Sequence, residues 1–427
     1  MIEIIKRTTL TPEEIFTRVS TRVDVSAAVA EILEDVRARG DAALFDYCEK
    51  FDHVALTALE VTQAEKDRAM AEVDGAFLDI LREAAANIRA FHSQQVRSSF
   101  ILTDRPGVVM GQKIIPIEKV GLYVPGGTAA YPSTVLMDAI PAKIAGCREI
   151  VIVTPPGKDG NVPAAILAAA QIAGVDRVFK VGGAQAVAAL AYGTATVPKV
   201  DKIVGPGNAF VAEAKKQVFG TVAIDMIAGP SEILVIADGT CSPRVVAADM
   251  LSQAEHDKLA SAVLVTDSEP LAQAVAEEIE AQLARLPREE IARASVENNG
   301  KIIVTPDLAA AIDVANQLAP EHLELCVDQP FDYLDRITNA GSIFLGKNCP
   351  EALGDYLAGP NHTLPTSGTA RFSSPLSVDD FVKKSQYTYF TRDALAQVAG
   401  SVARFARQEG LEAHARSATV RFEDDAL

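Results

Sequence analysis

The six histidines of the 427-residue sequence, with the acids and amides near them, are the side chains best able to do chemistry. Gln253 and His256 lie three residues apart at the end of a predicted helix that begins at Ser242 and Pro243. Residues at this spacing share one helix face, so the amide oxygen and the imidazole could bind one metal ion. The same spacing occurs on ordinary exposed helices, so the pair alone establishes no site.

Glu321 and His322 follow Pro320, a residue that suits the first turn of a helix. The spacing predicts that both side chains lie at a helix N-terminus, where the dipole favours a carboxylate and disfavours an imidazolium ion. We therefore expect an ionised Glu321 and a neutral His322, the forms that a general base needs. A glutamate in a first helical turn also serves as an ordinary complement to the dipole, and that structural role stays open.

Asp355 and His414 are further candidates for metal binding, although their sequence positions do not bring them together. Asp355 follows Gly354, where an acid is often only a turn residue, and His414 lies in the charged C-terminal stretch, where a histidine is ordinarily solvated. Two nitrogen and two oxygen ligands would suit zinc.

Three predicted strands end in glycine-rich turns, at residues 125–127, 182–183 and 205–207. Glycine allows positive φ and close backbone approach, and a helix that follows such a turn can hold a pyrophosphate. None of the turns has the GxGxxG fingerprint of dinucleotide-binding proteins, so an ordinary role in strand-to-helix turns stays open. The polar side chains beside the turns that could orient a cofactor are Tyr123, Gln185 and Asn208.

Around these residues, predicted strands alternate with predicted helices. The strands include residues 119–124, 149–154, 177–181, 199–204, 232–237, 262–266 and 302–304. This alternation predicts an α/β fold with mostly parallel sheets. The first hundred residues are predicted to be helical, starting with a capping box at Thr11–Glu14 and including a long stretch at 62–98. The chain after Phe372 is predicted to form an extended appendage.

Composition excludes several classes of protein. The sequence has 57 acidic and 40 basic residues, a formal net charge of −17, which argues against binding to nucleic acid or to an anionic membrane. No apolar run reaches roughly 18 residues and the N-terminus lacks the pattern of a signal peptide. Five cysteines without a CxxC spacing predict neither a disulfide framework nor a thiolate zinc site. We therefore expect a cytoplasmic enzyme.

Eight segments, taken together and in order, resemble the histidinol dehydrogenases. They are GLYVPGG (121–127), VGGAQA (181–186), GPGNAFV (205–211), AGPSE (228–232), LSQAEH (251–256), PEHLE (320–324), GPNHTLPT (359–366) and EGLEAH (409–414). The resemblance implies oxidation of L-histidinol to L-histidine through histidinaldehyde, with two NAD⁺ and one zinc ion per subunit. It also implies a homodimer whose active sites are shared between subunits.

The resemblance assigns roles to individual residues. The acid–base pair would be Glu321 and His322. The zinc ligands would be Gln253, His256, Asp355 and His414. The NAD contacts would be Tyr123, Gln185 and Asn208. The substrate contacts would be Ser231, Gln253, His256, His322, Asp355, Glu409 and His414. His362 lies in a matching segment and receives no role.

The resemblance also implies the architecture, two incomplete Rossmann-like α/β domains with small extended or helical arms at both ends. The expected divisions are an N-terminal arm (1–20), a discontinuous catalytic domain (21–122 and 233–375), a NAD-binding domain (123–232) and a C-terminal arm (376–427).

Three alternatives remain. The first is a zinc- and NAD-dependent dehydrogenase for another small alcohol, although Ser231 and Glu409 lie in histidinol-type segments. The second is a zinc hydrolase in which Glu321 activates water, which would need no nicotinamide cofactor. The third is a metal-binding protein without catalysis, to which Glu321 and His322 would add nothing.

Overall fold

Parallel strands form the two main sheets of the protein. The computed structural model describes residues 2–6, 24–126 and 130–426. The strands are β1 (Glu3–Lys6), β2 (Phe100–Leu102), β3 (Val108–Pro116), β4 (Lys119–Tyr123), β5 (Glu149–Val153), β6 (Arg177–Phe179), β7 (Lys202–Val204), β8 (Ala223–Ile224), β9 (Glu232–Ala237), β10 (Ser261–Thr266), β11 (Lys301–Val304), β12 (His322–Cys326), β13 (Ser342–Leu345) and β14 (Val382–Phe390).

Helices connect most of these strands. They are α1 (Ser26–Arg39), α2 (Asp41–Tyr47), α3 (Gln63–Glu72), α4 (Gly75–His92), α5 (Pro132–Ala145), α6 (Ala164–Ala173), α7 (Gly183–Tyr192), α8 (Ala209–Val218), α9 (Pro243–Ala254), α10 (Glu269–Leu283), α11 (Glu289–Asn299), α12 (Leu308–Leu318), α13 (Phe331–Leu334), α14 (Glu351–Tyr356), α15 (Arg392–Gln408) and α16 (Glu412–Thr419). None of these described helices combines the length and the apolar character needed to cross a membrane.

The chain forms two units, each treated by itself below. The first comprises Met1–Gln95 and Ile117–Phe381, and the second comprises Val96–Pro116 and Val382–Leu427. The first unit holds a six-stranded sheet in the order β1-β11-β10-β9-β12-β13 and a five-stranded sheet in the order β6-β5-β4-β7-β8. Every neighbouring pair in these two sheets is parallel, which confirms the predicted α/β class.

Both faces of each parallel sheet are covered by helices, so the central strands are almost wholly apolar. In β9, Ile233 and Val235 pack toward one core that includes Val246 of α9, whereas Leu234 packs on the opposite side with Ile312 of α12. The pleat makes successive side chains point to opposite faces, which explains this division. The strand predicted at 232–237 has the same bounds in the structure.

The second unit is built differently. β14, β3 and β2 form an antiparallel sheet, and two helices, α15 and α16, follow β14. Alanines on the facing sides of these helices, Ala403, Ala406 and Ala415, form a small core. This C-terminal stretch is therefore one strand and mostly helix, which agrees with the expected extended or helical arm, because small residues at helical spacing let α15 and α16 pack closely.

Three predictions concern the helices of the first hundred residues, the N-terminal arm and the domain divisions. The stretch predicted as helical at 62–98 is two helices, α3 and α4, because Asp74 begins a new helix by accepting a hydrogen bond from the Phe77 N–H. The capping box at Thr11–Glu14 and most of the expected N-terminal arm lie outside the described residues. The four expected domain divisions stay a prediction.

Candidate active site

The central strand β12 positions the ionisable side chains of the site. It lies between β9 and β13, with His322 opposite Ile233 in the register. His322, Glu324 and Cys326 alternate with two leucines, so the three point to one face, and Cys326 is part of the core that includes α9. His322 and Glu232 begin their strands, which places them at the amino ends of the six-stranded sheet.

The predicted helix at Pro320 is wrong. α12 ends at Leu318, Ala319 adopts a left-handed conformation with φ of 49°, and the chain enters β12 at His322. The fixed φ of proline fits an extended segment as well as a first helical turn. Backbone bonds of this segment go to the next strand, since the Gly341 N–H donates to the Pro320 carbonyl. No helix dipole therefore acts on Glu321 and His322.

His322 is held with one ring nitrogen ready to accept a proton. Nδ1 lies 3.0 Å from the backbone carbonyl oxygen of Glu232, so Nδ1–H donates and Nε2 carries the lone pair. Nε2 is buried and has no hydrogen-bond partner among the described residues. Burial lowers the pKa of His322 to about 4. The low pKa agrees with the expected neutral imidazole, but its cause is burial rather than a helix dipole.

Glu321 is fixed beside the same strand. The Glu232 N–H donates to Glu321 Oε2 over 2.8 Å, and this oxygen lies 3.6 Å from His322 Nδ1. Burial raises the pKa of Glu321 well above its usual value. The helix end that was expected to lower this pKa is not formed, and burial shifts the pKa in the opposite direction.

The short helix α14 brings two carboxyl groups to His322. Glu351 and Asp355 are four residues apart and share one helix face, and one ligand atom from each lies within 4.8 Å of His322 and of the other. Glu351 Oε1 is 3.9 Å from His322 Nε2 and, like that nitrogen, is buried without a partner among the described residues. His362 Nδ1 lies 3.5 Å from Asp355 Oδ1.

Gln253, which the sequence predicts as a metal ligand, lies near the end of α9. Both polar atoms of the Gln253 side chain are buried without a hydrogen-bond partner in the described part of the chain. Burying an amide in this way is costly unless a ligand satisfies it. His256 lies just beyond the helix; burial around its ring lowers its pKa, and the nearby Asp355 carboxylate opposes that shift. Amide, imidazole and carboxylate donors fit a zinc ion.

The three residues expected to contact NAD lie at the other sheet of the first unit, where β4, β6 and β7 end. The Tyr123 hydroxyl accepts a hydrogen bond from the Gly183 N–H over 3.1 Å, and burial raises the pKa of Tyr123 to about 12. Gln185 is buried in the first turn of α7. Asn208 caps α8 by accepting hydrogen bonds from two backbone N–H groups. Tyr123 and Asn208 thus bind backbone N–H groups at helix N-termini, the part of an α/β fold that can hold phosphate.

The remaining expected substrate contacts lie in different places. Ser231 is half-buried directly before β9, and its carbonyl accepts a hydrogen bond from the Ser261 N–H. Glu409 follows α15 and His414 lies in α16, both exposed residues of the second unit. The geometry described above therefore concerns residues of the first unit alone.

Sequence reasoning missed Glu232, Glu351 and the inner position Glu324. One available signal was the alternation from His322 to Cys326, which places polar residues at every second position of an otherwise apolar strand. No signal linked Glu232 to Glu321, because their contact depends on the pairing of β9 with β12 across 89 residues.

A parallel α/β fold with buried histidine, carboxyl and amide groups at its strand ends is typical of an enzyme that binds a small molecule. A family profile described as histidinol dehydrogenase matches residues 17–422. The histidinol dehydrogenase of Geobacillus kaustophilus is 58% identical over 396 residues, with 93% of each chain covered. That of Clostridium acetobutylicum is 54% identical over 427 residues, with 99% of each chain covered.

A solved structure agrees with these sequence matches. The crystal structure of histidinol dehydrogenase from Elizabethkingia anophelis superposes with a TM-score of 0.95 at 39% identity, covering 100% of this chain and 99% of the other. The chain belongs to the histidinol dehydrogenase family. It is therefore an oxidoreductase, and its family membership supports oxidation of histidinol in histidine biosynthesis.

Proposed function

We propose that the protein oxidises L-histidinol to L-histidine through histidinaldehyde in a zinc-dependent, four-electron reaction with two NAD⁺. The observation that carries this proposal is the buried lone pair of His322 Nε2, which has no partner among the described residues, together with the Gln253 amide, whose two polar atoms are also buried without one. The pair provides a proton acceptor and a metal ligand within one first-unit site. The reaction would complete histidine biosynthesis in the cytoplasm.

Zinc would be held by Gln253, His256, Asp355 and His414. When bound there, zinc would supply an electrophilic anchor for the imidazole and amino groups of histidinol. The unpartnered Gln253 amide supports this assignment. The further substrate contacts would be Ser231, His322 and Glu409, and Glu409 and His414 would reach the site in a homodimer with shared active sites.

His322 would act as the general base in both oxidations. Its Nδ1–H donates a hydrogen bond to the Glu232 carbonyl, which leaves the lone pair on Nε2. Nε2 would therefore be the proton acceptor for the reacting group. The low pKa keeps the imidazole neutral at physiological pH. Nε2 would take the alcohol proton as hydride leaves the carbinol carbon, and after release of that proton it would act again on the hydrated aldehyde. NAD, bound through Tyr123, Gln185 and Asn208, would supply the hydride acceptor.

Glu321 would activate the water that converts the aldehyde to its hydrate. Its carboxyl is oriented by the Glu232 N–H and is buried beside His322. Glu321→Gln keeps the shape and the hydrogen bond but removes the base. We expect it to spare aldehyde formation more than aldehyde oxidation, measured as separate half-reactions from histidinol and from histidinaldehyde. Equal losses in the two half-reactions would contradict this division of roles.

The test of the whole proposal is the yield of NADH from a limiting amount of L-histidinol, with zinc-loaded and chelator-stripped protein side by side. We expect two NADH per histidinol, lost on stripping and restored by zinc. One NADH would mean that the aldehyde escapes or that another alcohol is the substrate. No NADH from zinc-loaded protein would favour another alcohol, and a failure to bind NAD⁺ as well would favour a hydrolase.

A further inference from the structure

Helix α5 contacts the segment 359–366 through side chains at three successive positions of that segment. Asn361 Nδ2 donates to the Met137 carbonyl over 2.6 Å. Thr363 Oγ1 donates to Asp138 Oδ1 over 2.8 Å. His362 lies between Asn361 and Thr363, so the residues on both sides of it hydrogen-bond to α5.

The contacts are buried, which makes them costly to break. The buried residues among them are Thr134, Asp138, Asn361 and Thr363. A buried donor or acceptor that loses its partner cannot turn to water instead, so these bonds restrict the segment to one position. Burial also raises the pKa of Asp138 to about 7.

The His362 ring connects α5 to α14. Its Nε2 lies 3.3 Å from Thr134 Oγ1, and its Nδ1 lies 3.5 Å from Asp355 Oδ1. The imidazole thus spans from a buried helix to a carboxyl group at the site. A polar group that hydrogen-bonds to a metal-binding side chain orients that side chain. Loss of such a partner typically lowers metal affinity about 10- to 100-fold.

We propose that Thr134 and Thr363 are positioning residues of the metal site, because they fix His362 against Asp355 and thereby orient the Asp355 carboxylate. The inference rests on the proposed function in one respect, the assignment of Asp355 as a zinc ligand. Neither threonine contacts the reacting atoms. Their effect passes through the His362 ring, Thr134 directly and Thr363 through the backbone that carries it.

The test is the zinc affinity of Thr134→Val and Thr363→Val in the full-length protein, measured by competition with a chromophoric chelator. Each change keeps the branched shape and removes only the hydroxyl. We expect zinc affinity to fall about 10-fold in each variant. Thr134→Ser and Thr363→Ser, which restore the hydroxyl, should recover the affinity of the wild type.

Thr305→Val is the matched control. Thr305 is also about 4% exposed, and its hydroxyl lies within hydrogen-bond distance of two backbone carbonyl oxygens, those of Thr266 at the end of β10 and of Asp307 just before α12. This variant should lose thermal stability without losing zinc affinity. An equal loss of zinc affinity in Thr305→Val would overturn the proposal, because the effect would then be general destabilisation. Unchanged affinity in both test variants would overturn it too.

Asp355→Ala separates failure of this inference from failure of the proposed function. If Asp355→Ala leaves zinc binding unchanged, Asp355 is not a ligand and the proposed metal set fails. If Asp355→Ala weakens zinc binding but the two valine variants do not, only the positioning role fails. With both proposals correct, Thr134→Val should lower the affinity less in the Asp355→Ala background than it does alone, since the two changes remove one interaction.

Discussion

Two groups of ionisable side chains lie along one face of β12, and they differ in how their polar atoms are satisfied. The site group is His322, Glu351 and Asp355, and the inner group is Asp249, Glu324 and Cys326. In each group, one potential metal-binding atom from each residue lies within 4.8 Å of the others. By residue type and spacing alone, both groups would be candidates for a metal ion.

In the inner group, each oxygen of the Glu324 carboxyl has a hydrogen-bond partner. The Cys326 thiol donates to Glu324 Oε2, and the Glu351 N–H donates to Glu324 Oε1 over 2.6 Å. One carboxyl oxygen of Asp249 lies within 4.8 Å of one of Glu324, and burial raises the pKa of both carboxyl groups. Burial raises the pKa of the Cys326 thiol, so it stays protonated and is a poor ligand.

The site group leaves atoms unsatisfied. His322 Nε2 and Glu351 Oε1 face each other across 3.9 Å, and neither has a hydrogen-bond partner among the described residues. Gln253 adds two more such atoms. A set of metal-binding residue types is therefore a weak sign of a site. Buried polar atoms without partners are the stronger sign. Such atoms destabilise the folded protein, so they are expected mainly where a ligand or a catalytic role accounts for them.

The largest expected difference between the groups is in catalysis. His322→Asn removes the base at Nε2, and we expect kcat for histidinol oxidation to fall roughly 10²- to 10⁴-fold, the usual contribution of a general base. Cys326→Ala is the control on the same strand and face, and its kcat should stay close to the wild-type value. Steady-state NADH production measures both. A comparable loss of kcat in Cys326→Ala would remove the distinction between the groups.

A second, smaller difference concerns the metal. Gln253→Ala removes a proposed zinc ligand whose polar atoms have no other partner among the described residues. Zinc affinity should fall by at least about 10- to 100-fold, the range for loss of an outer partner that only orients a ligand. Asp249→Asn, one helical turn earlier on α9, should leave zinc affinity unchanged, because its carboxyl lies with Glu324 and Cys326 in the inner group. Competition with a chelator gives both dissociation constants. Weaker zinc binding in Asp249→Asn would show that the inner group also contributes to the metal site.

The comparison also explains which features the sequence could predict. Strand β9 was predicted with its observed bounds, because an apolar run after a glycine–proline turn is a local signal. The helix at Pro320 was predicted wrongly, because the same proline fits a strand entry. The contact of Asp138 with Thr363 joins residues 225 apart, and nothing local specifies it. Residue types thus indicated the chemistry, whereas the hydrogen bonds that separate the site group from the inner group depend on strand register and helix packing.

The smallest expected difference is a pH-dependent change in stability from the inner group. Burial raises the pKa of Glu324, so between its usual pKa of about 4.3 and the raised value the folded protein holds a proton that the unfolded chain has lost. The slope of stability with pH is therefore negative over this window, by at most about 1.4 kcal/mol per pH unit for one proton. Stability from this group is complete at low pH and is lost as pH rises.

Glu324→Gln removes that titration while keeping an acceptor for the Glu351 N–H and a donor for Asp249. The thermal midpoint of the variant minus that of the wild type should therefore rise with pH from about 5 to 8, since only the wild type loses a proton on unfolding there. Thermal scans at matched zinc occupancy measure this difference. Cys326→Ala keeps both carboxyl groups, so its difference from the wild type should change little over the same range. A difference for Glu324→Gln that is flat or falls with pH would mean that Glu324 is ionised in the folded protein.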